Sequence, residues 1–150
     1  MNRLLLLLLC VLFSASAHAG AWSEGSFEND DALDWVTECT QGAGTTAVSK
    51  ALSAAVKAKY LEAPEASAAV AAAEVVAAAR GKPNPSLPKE LAAWIERQPK
   101  AQLASLAPLA RQALKKVLDP QDSELKRIWA EGKGNRWESR MAELDARLGS

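Results

Sequence analysis

Histidine and cysteine are scarce in this chain of 150 residues, with one and two copies, and its 18 basic and 18 acidic side chains cancel. Each shortage removes a class of chemistry. One histidine, His18, and two cysteines, Cys10 and Cys39, cannot supply the usual zinc ligand set, and neither a nucleophile–histidine relay nor a glycine-rich phosphate cradle is legible. Balanced charge gives no field that would draw nucleic acid or an anionic membrane. No apolar run approaches the roughly 20 residues of a membrane-spanning helix. The longest, Leu4 to Phe13, has another reading.

That run follows Met1-Asn2-Arg3, with one positive charge, and precedes Ser14-Ala15-Ser16-Ala17-His18-Ala19. A basic start, a short apolar stretch and the small-x-small pattern Ala17-His18-Ala19 predict a secretory signal over residues 1–19, cleaved after Ala19. Leu9 stands before Cys10 where lipidation needs a small residue. No membrane attachment is therefore expected after cleavage, and the mature chain is expected in the periplasm or outside the cell. Cleavage removes His18, Cys10 and Arg3, leaving 150 − 19 = 131 residues with 18 − 1 = 17 basic and 18 acidic side chains. Cys39 is then alone in an oxidising compartment and is expected to pack as a small buried hydrophobe.

The mature stretch, 20–150, reads as one all-α domain, a single compact bundle of about six or seven helices. Asn29 is a good N-cap, with Asp30 and Asp31 in the positive first turn and Ala32, Trp35, Val36 and Cys39 at helical spacing, up to Gly42 or Gly44. A second helix is expected from about Thr45 to Leu61, with Val48, Leu52, Val56 and Tyr60 inward. Pro64 starts a third and Gly81 stops it. Being almost wholly alanine and valine, this helix is expected at the centre of the bundle. A fourth, from Leu87 or Pro88, presents Leu91, Trp94 and Ile95. The fifth starts near Ser105 and presents Leu106, Ala110, Leu114 and Val117, with Leu103 left in the connection before it. Leu125, Ile128 and Trp129 mark a sixth, ended by Gly132 and Gly134. Asn135 with Glu138 resembles a capping box ahead of a seventh carrying Trp137, Met141, Leu144 and Leu148.

The most distinctive segment runs from Ala21 to Trp35. Its Trp22, Gly25, Phe27, Glu28, Asn29, Asp30, Ala32, Asp34 and Trp35 follow the pattern Trp-Gly-x-Gly-x-Phe-(Asp/Glu)-Asn-Asp-x-Ala-x-Asp-Trp, with Ser23 in place of the first glycine. On this pattern the chain resembles the bacterial family called domain of unknown function 4259. Similar matches continue through Ala73-Glu74-Val75-Val76-Ala77, Leu87-Pro88 with Trp94, Ser123-Glu124-Leu125 with Trp129, and Trp137 with Leu144 and Arg147-Leu148. The resemblance spans almost the whole mature chain and implies an uncharacterised helical domain without an established activity.

Two constellations are candidates for function. Asp30, Asp31 and Asp34, flanked by Glu24, Glu28 and Glu38, gather carboxylates around the start of one helix. Capping and dipole compensation account for them most simply, a partner-binding patch of Trp22, Glu24, Glu28, Asp30, Asp31 and Asp34 is the functional reading, and a metal site at Asp30, Asp31 and Asp34 is the weaker alternative, since the spacing lacks the alternation of an EF-hand loop. Trp22, in a loop beside Gly25, is the tryptophan most suited to docking a partner or a neighbouring helix. Glu74 is the one charge between Glu65 and Arg80. A buried carboxylate must pair with a base or stay protonated, and the expected partner is one of Arg111, Arg127, Arg136 and Arg140. Ser86-Leu87-Pro88-Lys89 matches the Ser-x-x-Lys of penicillin-recognising enzymes by chance, because the companion motifs are absent. These residues imply no catalytic group and no cofactor. The expected function is protein binding, as in an immunity or inhibitor protein acting on a toxin, effector or envelope hydrolase. The alternatives are a metal-stabilised structural envelope protein and a carboxylate-dependent hydrolase.

Overall fold

A computed structural model describes residues 23–42, 44–132 and 135–150. The expected signal segment and Trp22 lie outside these residues. Among them the fold is all-α, with eight helices: α1 (Asp30–Gln41), α2 (Thr46–Lys57), α3 (Ala63–Ala79), α4 (Lys89–Glu96), α5 (Lys100–Ala104), α6 (Ala107–Val117), α7 (Glu124–Glu131) and α8 (Asn135–Gly149).

The centre is α3. Alanine and valine surround it on every side, and it packs against each of the other helices, burying Ala66, Ala69 to Ala73 and Val75 to Ala77. A helix that is apolar all round has no solvent face to offer, and short side chains let neighbouring backbones come close. Pro64 sits in its first turn, where the missing N–H costs nothing. Its C-terminus closes as a Schellman motif. Lys82 N–H donates to Ala77 O at 3.0 Å and Gly81 N–H to Ala78 O at 2.9 Å, which requires the positive φ of 83° at Gly81.

Local signals set the other helices. The Asn29 side chain accepts from Ala32 N–H at 2.9 Å, and Ala32, Trp35, Val36 and Cys39 turn inward. Likewise Trp137, Met141, Leu144 and Leu148 form the buried stripe of α8. Glu138 forms an ion pair with Lys126 across to α7.

Four expectations need correction. α2 stops at Lys57, not at Leu61, and Tyr60 lies exposed beneath the Arg127 guanidinium, 5.3 Å from its ring centroid. The cause is a distant pairing: Leu61 N–H donates to Asp122 O at 2.7 Å, and Glu124 N–H donates to Leu61 O at 2.9 Å. Glu124 also accepts from Ala63 N–H at 2.7 Å, capping α3 from another helix. Leu103 belongs to a helix of its own, α5, where it is fully buried, and this raises the helix count above seven. Ile128 is exposed, and Trp129 is half-buried, stacked on Trp137 with ring centroids 6.0 Å apart. The fourth correction is the partner of Glu74.

Candidate functional site

Glu74 is 1% exposed, in the middle of an apolar helix, and four donor contacts hold its carboxylate. Arg147 Nη1 donates to Oε2 at 2.8 Å and Nη2 to Oε1 at 3.2 Å. Ser26 Oγ and Asn84 Nδ2 donate to Oε1 at 2.7 and 2.9 Å. Three of these donors share Oε1 and one reaches Oε2, so both carboxylate oxygens are engaged. Arg147 Nη1 also donates to Lys82 O at 3.1 Å, and its Nε lies 3.8 Å from Glu143 on the solvent side. The side chain of Glu74 thereby joins four pieces of chain: the loop before α1, α3 itself, the turn after α3, and the end of α8.

The partner is therefore Arg147, not Arg111, Arg127, Arg136 or Arg140. Arg111 is taken by Asp145, with bonds of 3.0 and 3.2 Å that raise its pKa, and Arg127 by Tyr60. Arg140 and Arg147 are seven residues apart, so they share a flank of α8 but stand about 10 Å apart along its axis. Glu74, late in α3, meets the C-terminal end of that flank. Ser26 and Asn84 were not legible as site residues, since a serine in a turn and an asparagine between Pro83 and Pro85 read as ordinary loop residues.

The loop held by Ser26 leads directly into the acidic segment. Phe27 is buried beside Ser26, Glu28 N–H closes a turn on Gly25 O at 3.2 Å, and the Glu28 side chain folds back where a Gly25 side chain would stand. Asp30, Asp34 and Glu38 are exposed along α1, and Leu33, 43% exposed, borders Asp30 at the edge of their face. Partial burial holds the Asp31 carboxyl above the ordinary aspartate range, and the charges of Asp34 and Asp30 add to this. No ion pair reaches Glu24, Glu28, Asp30, Asp31, Asp34 or Glu38 among the described residues. Nor, among these residues, does any group of three or more His, Cys, Asp or Glu side chains converge enough to hold a metal ion. On a helix, positions 30 and 31 diverge by about 100°, so consecutive aspartates do not share a ligand sphere. No helix among the described residues is long and apolar enough to cross a membrane.

The fold and site define an all-helical domain in which a buried carboxylate, bonded on both oxygens, ties the loop before α1 to the core. The chain matches the family described as Domain of unknown function (DUF4259) over residues 20–140, and it belongs to that family. No curated protein and no solved structure matches it.

Proposed function

We propose that this is an exported, non-catalytic protein-binding domain, acting in the periplasm or outside the cell as an immunity or inhibitor protein that covers a basic site on a toxin, effector or envelope hydrolase. The observation that carries the proposal is the unpaired acidic segment. Six carboxylates lie between Glu24 and Glu38, and the sequence has no lysine or arginine from Leu4 to Ser49. Like charges fixed on one helix repel, and the charges of Asp34 and Asp30 add to the burial that raises the Asp31 pKa. A cationic partner relieves that repulsion, steering association and fixing its register. Leu33, 43% exposed on the same helix, adds an apolar contact at the border of the acidic face beside Asp30. Glu74, the one deeply buried acid among the described residues, has both oxygens engaged by protein donors, which supports a non-catalytic role. Export rests on the charge and apolar run of residues 1–13 and on Ala17-His18-Ala19.

Affinity capture from periplasmic extract, with the wild type beside Asp34→Lys/Glu38→Lys, tests the binding reading. A partner retained by the wild type and lost by the variant is the expected outcome; equal capture by both removes the acidic face from the interface. Intact mass of the exported protein should correspond to a start at Gly20. A species that keeps Met1, or one with lipid on Cys10, would contradict the signal assignment.

A further inference from the structure

α1 and α2 both lean on α3 and scarcely touch each other, and a groove opens between them. Trp35, Ala47, Ala51, Ala54 and Ala68 supply its apolar surface, and its volume is about 250 Å³. Ala47, Ala51 and Ala54 recur at helical spacing, so along that stripe only methyl groups separate the groove from the α2 backbone, and Lys50 is the one long α2 side chain in its lining. The volume falls short of the roughly 300 Å³ at which small-molecule pockets begin, but it admits a few large side chains. Glu38, Glu65 and one cation, Lys50, complete its lining. Asp31 and Asp34 continue it along α1, since they precede Trp35 and Glu38 by one helical turn. Two lining carboxylates, with two more a turn earlier on α1, thus accompany one amine along an apolar slot.

Resting on the protein-binding reading, we propose that this groove receives the apolar anchors of a cationic amphipathic helix from the partner. Anchors one turn apart would enter the slot between α1 and α2, the helix-in-groove mode, while lysine or arginine on the flanks meets Asp31, Asp34, Glu38 and Glu65. The alanine stripe allows close approach of the two backbones, and the charges select a basic helix over an acidic one.

Two synthetic helical peptides test this, sharing a leucine stripe at spacing i, i+4, i+7 and differing only in lysine or glutamate on the flanks. Each is titrated into the exported protein while peptide anisotropy and the methyl signals of Ala47, Ala51 and Ala68 are followed. The lysine peptide should bind and shift those methyls. Its affinity should fall about tenfold or more for Glu38→Lys/Glu65→Lys and for Ala54→Trp, whose ring fills the slot, and should rise for Lys50→Glu. Ala54 is exposed, so its substitution leaves the fold intact, which circular dichroism verifies. Equal binding of the glutamate peptide, or binding unmoved by Ala54→Trp, overturns the proposal. A captured partner that depends on Asp34 and Glu38 but binds Ala54→Trp unchanged also overturns the groove and leaves the acidic-face reading standing. If the chain captures no partner at all, that reading fails and the groove assignment fails with it.

Discussion

Glu74→Ala removes the acceptor on which Ser26, Asn84 and Arg147 converge, and its cost follows from what remains. The Arg147 guanidinium, only 17% exposed, loses both of its carboxylate bonds and keeps Lys82 O as its one hydrogen-bond acceptor. Breaking a buried ion pair from one side costs about 3–5 kcal/mol. The two neutral donors each represent about 1 kcal/mol more, but they share one oxygen and can turn toward other acceptors, so the loss should stay within that range. Glu74→Gln keeps the acceptor for Ser26 and Asn84 and sets an amide N–H against Arg147 Nη1, at a cost of about 1.5–3 kcal/mol. The double substitution Glu74→Ala/Arg147→Ala should cost less than the two single losses combined, by about 0.5–3 kcal/mol. Urea melts with equal m-values provide the measurement. A loss below about 0.5 kcal/mol for Glu74→Ala, or strict additivity in the cycle, would refute the reasoning.

Asn29→Ala should destabilise by about 1 kcal/mol in the same melts through loss of the α1 cap. Gly81→Ala should cost about 1–2 kcal/mol from backbone strain alone, because an added Cβ meets nothing within 4 Å while φ stays at +83°. Cys39, whose thiol is pushed from 9.0 up to about 12 by burial and then by the Glu38 charge, should resist alkylation at pH 8 until the chain is unfolded. Between pH 9 and about 12 the unfolded thiol has lost its proton and the folded one keeps it, so stability should fall with rising pH, and Cys39→Ala should flatten that slope.

Where structure is decided locally, the sequence was a sufficient guide. The Asn29 cap, the Pro64 start, the Gly81 stop and the α8 stripe each depend on residues within one or two turns, and each is found in place. The central position of α3 followed from side-chain size alone. The misreadings share a different origin. Leu61 leaves the helical pattern because residues 122–124 claim its backbone, and periodicity contains no trace of a partner some sixty positions away. Tyr60 and Ile128 kept the spacing of core residues, but the surface beside them was already filled or open to solvent. Burial of Glu74 and its need for an arginine were legible from the apolar helix around it. Which arginine depended on the axial register of α8 against α3, which is a tertiary quantity. The acidic segment was visible as composition; that none of its carboxylates forms an ion pair among the described residues emerged only from the assembled fold.

A photo-crosslinking residue at Leu33, in the otherwise native exported chain, tests most directly the claim that the acidic face of α1 is the binding surface. Leu33 is 43% exposed, so the substitution leaves the core untouched. Irradiation of intact cells should give one discrete cross-linked species that disappears when Asp34→Lys/Glu38→Lys is added. No cross-link at Leu33, together with a discrete species from the same probe at Ile128 on α7, would place the interface elsewhere and contradict the account.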